Sequence, residues 1–152
     1  MGIIHNDTHW MQCALALAEK AAKQGEVPVG ALIVHNNTIL AQAWNQPITL
    51  LDPTAHAEIL ALRQASTLLK NYRLLDTTLY VTLEPCPMCA GAMLHARIKR
   101  LVFGAFDKKT GAAGSACQLF RGQHTRHAID VFGGVLSESC AKIMTHFFKN
   151  LR

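Results

Sequence analysis

Apolar residues fall along this chain in two rhythms, helical spacing in some stretches and short unbroken runs in others. Asp7 to Gln24 is rich in Ala and Leu at helical spacing, with Asp7 or Thr8 placed to cap its start and Gly25 to stop it. Val29 to His35 and Thr38 to Trp44 are apolar, β-leaning runs, and Asn36-Asn37 between them reads as a hairpin turn. Asn45 to Asp52 is polar and holds Pro47, so a loop is expected there. Pro53-Thr54 then opens a helix that runs to about Lys70. Thr78 to Leu83 is a short strand bounded by Glu84-Pro85, Cys86 to Arg97 is helical, and Arg100 to Phe106 is another strand. The Gly-rich Asp107 to Ser115 is a loop, Ile129 to Phe132 a last strand, and Ser137 to Phe148 a terminal helix with Ser137 as its cap. Strands alternating with helices predict an α/β fold, a sheet covered by helices.

Composition narrows the class. The 152 residues are expected to form a single domain, residues 1–152, and with 50% apolar and 16% charged residues a disordered chain is excluded. No apolar run is long enough to span a bilayer, and Met1 to Asp7 lacks the basic-then-apolar layout of a signal peptide. Asn6 also stands where a myristoylation signal carries a small hydroxyl residue, so a soluble cytoplasmic protein with no membrane partner is expected. The net charge of +5 is compatible with a polyanionic partner without requiring one. Five cysteines do not read as a disulfide framework: Cys86 and Cys89 are a close pair, while Cys13, Cys117 and Cys140 are scattered and read as small buried hydrophobes.

Two separated motifs carry the chemistry. His56-Ala57-Glu58 is followed by Pro85-Cys86-Pro87-Met88-Cys89. One imidazole and two thiolates make three ligands for Zn²⁺ and leave a tetrahedral position open for water, as a catalytic zinc site does and a structural one does not. Cys86 and Cys89 are three apart at a helix start, hence on one face, and the helix dipole there favours thiolate. His56 and Glu58 are two apart, about 200° in an ideal helix, so they converge only if they straddle a helix's beginning. A Cys-x-x-Cys alone is more often structural or redox, and a lone His-x-Glu more often capping and surface charge. The two halves in this order form the H-x-E…P-C-x-x-C pattern of zinc nucleobase deaminases. One Zn²⁺ per subunit would lower its water's pKa to about 7 for attack on an amidine-like ring carbon. Glu58 would move the protons.

The resemblance extends far beyond the ligands. Glu26-Val27-Pro28-Val29-Gly30-Ala31, Asp52 to Glu58, Asn71-Tyr72-Arg73-Leu74, Leu79 to Cys86, Cys89 to Met93 and Thr110 to Ser115 together resemble the bacterial tRNA-specific adenosine deaminases. These belong to the cytidine and deoxycytidylate deaminase superfamily and are the family behind the adenine base editors. The similarity runs from about Thr8 to Phe148. It implies a three-layer α/β/α cytidine-deaminase-like fold with a central mixed sheet of about five strands. It also implies a homodimer acting on the wobble adenosine of a tRNA anticodon stem-loop, with attack at C6 of the flipped adenine. By the same resemblance Asn45 contacts the flipped nucleotide, Ala57 gives its backbone N–H to the reacting edge, and Asp107 contacts RNA near the target. Read without it, Asn45 is an ordinary loop residue and Asp107 a turn residue.

RNA also needs cations for phosphates and aromatic faces for unstacked bases. Lys108, Lys109, Arg121, Arg126, Lys149 and Arg152 supply the first, with Phe147 or Phe148 for the second. Lys109 and Phe148 are the favoured pair. Phe106 departs from the family, which commonly has a basic residue there, and Leu119 to His127 resembles it poorly. Three other readings share parts of the pattern: a deaminase of free bases or nucleosides of guanine or cytosine type, a DNA-acting cytosine deaminase, and a noncatalytic zinc-stabilised RNA-binding module.

Overall fold

Strand β1 (Gly30–His35) is buried along nearly its whole length, and the alternation of its side chains sends Ala31 and Ile33 to one core and Leu32 and Val34 to another. A strand buried on both faces needs helices on both sides, and the computed structural model, which describes residues 3–151, has them. The sheet has the order β2-β1-β3-β4-β5. Strands β2 (Thr38–Trp44) and β3 (Thr78–Leu83) flank β1 antiparallel, whereas β4 (Arg100–Ala105) and β5 (Asp130–Gly133) continue parallel to β3. One face packs on α3 (Ala57–Leu69) and α4 (Pro87–Ala96) through Ile59, Leu62 and Met93. The other packs on α1 (Asp7–Lys23) and α5 (Ser137–Asn150) through Trp10, Met11, Leu17 and Cys140. The expected three-layer mixed α/β fold is therefore present. Among the described residues no helix is long and apolar enough to cross a membrane.

Close packing explains one glycine. A Cβ on Gly30 would lie 2.1 Å from the Ala14 carbonyl oxygen, so α1 crosses β1 backbone against backbone. Asn36 and Asn37, at φ 51° and 59°, form the tight hairpin turn between β1 and β2 that their sequence predicts.

Local chemistry shifts several boundaries. The Asn45 to Asp52 stretch is not all loop: Pro47 begins the short helix α2 (Pro47–Leu50), whose first N–H groups are taken by the buried carboxylate of Glu26. Pro53-Thr54 does not open α3. The Asp52 carboxylate accepts the Thr54 N–H and hydroxyl and closes a turn there, so the helix starts at Ala57. Asn6, not Asp7 or Thr8, caps α1, accepting the His9 N–H at 2.9 Å. Leu136, with φ 55°, precedes α5, and Ser137 is the first helical residue rather than its cap. Of the three scattered cysteines only Cys140 is buried, with Cys13 partly and Cys117 fully exposed. Arg152 and the Met1-Gly2 dipeptide lie outside the described residues.

Asp7 does not cap α1 and instead ties the start of that helix to the adjacent strands β3 and β4. Its carboxylate accepts from the Tyr80 hydroxyl at 2.6 Å and from the Arg100 guanidinium at 3.0 Å. Burial pushes its carboxyl up, but these hydrogen bonds and the guanidinium charge pull it further down, below the ordinary Asp value. A depressed folded pKa stabilises above the unfolded value and is lost as pH falls through the folded one. Asp7→Asn is therefore expected to lower stability at pH 7 by about 1 kcal/mol or less, since the pair is partly solvated. The gap to wild type should close as pH drops below about 4. Thermal melts across pH check this, and a gap independent of pH would contradict it.

Candidate active site

Two helices begin at one point. His56 is the N-cap of α3 and Cys86 the N-cap of α4, both in extended backbone, so the side chains leave before helical geometry sets in. This is how a His-x-Glu pair converges: His56 stands outside the helix and Glu58 in its first turn. Pro87 occupies the first turn of α4, and Cys89 follows within that turn.

The three ligand atoms are spaced for a tetrahedral ion. His56 Nδ1 lies 3.6 Å from Cys86 Sγ and 3.5 Å from Cys89 Sγ. Zn–S and Zn–N bonds of ordinary length at a tetrahedral angle require S···N of about 3.6 Å. Among the described residues, this is the one group of three or more His, Cys, Asp or Glu side chains whose ligand atoms all lie within 4.8 Å of one another. Donor type, donor spacing and a missing fourth protein ligand all fit zinc.

Electrostatics agree with that fit. A hydrogen bond from the Cys89 thiol, with further help from His56, pulls Cys86 down to about 4, against the opposing effect of burial. The same bond and burial push Cys89 up. Cys86 thus favours the thiolate and Cys89 the thiol that donates to it, and a metal ligand at Cys89 requires loss of that proton. His56 is raised chiefly by its bond to Cys86. Glu58 is 4% exposed, and burial pushes its carboxyl up to about 7. A carboxyl that exchanges its proton near neutrality suits general acid and base work.

Asn45 sits at the end of β2, buried, and accepts the Ala57 N–H on its side-chain oxygen at 2.9 Å. His56 makes no side-chain cap, its ring facing the thiols, and the first orphan N–H of α3 is taken by a side chain from another element. The Ala57 N–H, expected to face substrate, is thus given to Asn45. Among the described residues no hydrogen bond occupies the Asn45 amide nitrogen.

The Gly-rich segment is a folded loop. Asp107 accepts the Lys109 and Thr110 N–H groups and the Thr110 hydroxyl, which is the turn role its residue type suggests. A groove of about 600 Å³ between this loop and α5 brings Asp107, Lys109 and Phe148 together, with Phe106 beside them. Phe106 is 57% exposed and stands edge-on against Phe103, 5.1 Å between ring centroids. Arg126 is elsewhere, in a smaller cavity with Tyr72, Arg97 and His127.

Sequence reasoning assigned no role to Glu26 or Glu84. Both are acidic residues beside apolar runs and both are buried, at 1% and 2% exposure, as hubs for backbone N–H groups. For Glu84 the usable signal was a carboxylate at a strand's end with no cation nearby in sequence, whereas Glu26, with Lys23 three residues away, gave none.

Comparison with known proteins places the chain. Residues 4–105 match the family model for the cytidine and deoxycytidylate deaminase zinc-binding region. The tRNA-specific adenosine deaminase of Haemophilus influenzae is 53% identical over 96% of this chain and 85% of its own length. That of Bacillus subtilis is 44% identical over 96% and 91%. A solved structure from studies of A-to-I editing by tRNA:A34 deaminases at the wobble position superposes with a TM-score of 0.87 at 44% identity, covering 90% of this chain and 99% of that one. The guanine deaminase of Nitrosomonas europaea, at 20% identity and a TM-score of 0.80 over 96% of this chain and 86% of that one, shares the fold. On identity, coverage and a zinc-ready His56-Cys86-Cys89 set with Glu58 at its side, the chain belongs to the tRNA-specific adenosine deaminases of the cytidine and deoxycytidylate deaminase family.

Proposed function

We propose that this chain is a single-domain, zinc-dependent deaminase that converts adenosine to inosine at the wobble position of a tRNA anticodon stem-loop, releasing ammonia. The observation that carries the reading is the buried Glu58 carboxyl, held near neutral pKa beside three ligands with tetrahedral spacing. His56, Cys86 and Cys89 would hold the zinc, which supplies an acidified water in the open position. Glu58 would carry one proton from the attacking water to the ring nitrogen, where it stays, and the second from the new C6 hydroxyl to the departing amine, so a C6–O bond forms, the C6–N bond breaks and ammonia leaves. Asn45 keeps its amide nitrogen for the flipped nucleotide while its oxygen holds the Ala57 N–H, which fixes the wall of the pocket through Ala57. Lys109 and Asp107 meet the RNA backbone and bases next to the target, and Phe106 and Phe148 offer stacking faces.

The relatives' activity on tRNA supports tRNA as substrate, and an unpaired loop base costs less to extrude than a duplex one. A homodimer is supported by the apolar groove over α3 and α4, lined by Ile59, Leu62, Ala92 and Ala96 with Tyr72 at its edge. A tRNA substrate supports a cytoplasmic location.

Two experiments test the reading. Glu58→Ala is expected to keep one zinc per chain by metal analysis while inosine formation falls by about a thousandfold. Turnover within tenfold of wild type would remove Glu58 from the proton pathway. Affinity for the anticodon stem-loop should fall with salt, by roughly 0.7 in log–log slope for each phosphate neutralised. Lys109→Ala should reduce that slope by a little under one contact's worth, and an unchanged slope would show that Lys109 touches no phosphate.

A further inference from the structure

We infer that Glu84 is a positioning residue for RNA recognition: its buried carboxylate shapes the 107–115 loop and ties that loop to the turn bearing the zinc ligands. The inference rests on the tRNA reading for its consequence but not for its geometry. Glu84 is 2% exposed at the end of β3, directly before Pro85-Cys86. Its two oxygens accept four hydrogen bonds, all from the loop: the Asp107 N–H at 3.1 Å, the Ala113 N–H at 2.9 Å, the Ser115 N–H at 3.1 Å, and the Ser115 hydroxyl. No Lys or Arg pairs with it among the described residues, so these donors alone compensate the charge.

Three further features make the arrangement specific. Gly111 fits only without a side chain, since a Cβ there would lie 2.4 Å from the Glu84 carboxyl carbon and 2.4 Å from the Asp107 carbonyl oxygen. The Ala112 N–H donates to the Pro85 carbonyl at 2.8 Å, and the Glu84 N–H to the Ala105 carbonyl at 2.9 Å. The loop is thus fastened at both ends to the peptide that leads into Cys86. Asp107 spends its own side chain on Lys109 and Thr110, so the position of its N–H on Glu84 sets where the whole turn, Lys109 included, stands relative to the metal ligands.

Glu84→Gln is the discriminating change. It keeps shape and volume but offers one acceptor oxygen to four donors, and its NH₂ meets N–H groups head-on. The expected result is a fall in kcat/KM on the anticodon stem-loop of about 10- to 100-fold, carried mainly by KM, with one zinc per chain retained. Adding Lys109→Ala to Glu84→Gln should cost little more, because a misplaced Lys109 has already lost its contact. Glu84→Asp, which keeps both oxygens, should restore part of the loss. Amide exchange at Asp107, Ala113 and Ser115, read without any substrate, should speed up in Glu84→Gln while β1 stays protected. Unchanged exchange at those three amides overturns the geometric role. Strictly additive costs of the two substitutions, or a loss confined to kcat, overturn the positioning role. A wild-type protein that leaves tRNA unmodified while the exchange result holds would instead defeat the tRNA reading and with it the role in RNA recognition, leaving Glu84 a loop-shaping residue only.

Discussion

Everything in this molecule turns on the meeting of two helix starts. His56 and Cys86 are both N-caps, and neither caps its own helix, because their side chains are turned toward each other at 3.6 Å. That geometry forfeits the usual cap hydrogen bond at each helix, which is worth about 1 kcal/mol. It gains a place where the partial positive charge of two helices favours a thiolate and, with a cation bound, an anionic water. The sheet makes the meeting possible. Parallel pairing of β3 and β4 requires the α4 crossover, and α3 precedes β3 on the same face, so both N-termini come to one edge of the sheet.

Three buried glutamates surround this edge and show how environment divides one residue type into two jobs. Glu26 accepts from Ile48, Thr49 and the Thr49 hydroxyl, and Glu84 from Asp107, Ala113 and Ser115. Each spends its lone pairs fixing a neighbouring segment, Glu26 the short helix α2 and Glu84 the 107–115 loop. Glu58 has no such ring of loop donors, and burial dominates its carboxyl. Two carboxylates build walls, and the one left short of partners is the one whose pKa burial raises toward neutrality. The helix and the loop they fix follow Asn45 in one case and hold Lys109 in the other.

The pattern of apolar runs made the α/β layering and all five strands legible, β1, β3 and β4 most plainly because strands buried on both faces read as continuous hydrophobic stretches. The clustering of His56, Cys86 and Cys89 was legible too, since metal chemistry needs particular residue types at particular spacings. Boundaries set by side-chain partners were not. Asp52 closing a turn moved the start of α3 from Pro53 to Ala57, and Glu26 built a helix where Pro47 and polar neighbours suggested loop. The pairing of Asn45 with Ala57 was hidden for the same reason: it joins residues twelve apart through a cap that the sequence places on neither. Long-range satisfaction of backbone N–H groups leaves no local periodicity to read.

The central claim is that a proton-carrying Glu58 beside a three-ligand zinc serves an adenosine presented by tRNA. Its most direct test is nucleoside analysis after incubating the zinc-loaded protein with a panel of tRNAs and, separately, with free adenosine, cytidine and guanine. Inosine confined to a wobble position, with the free compounds unchanged, is the predicted result. Deamination of free guanine or cytidine, with every tRNA left unmodified, would contradict it.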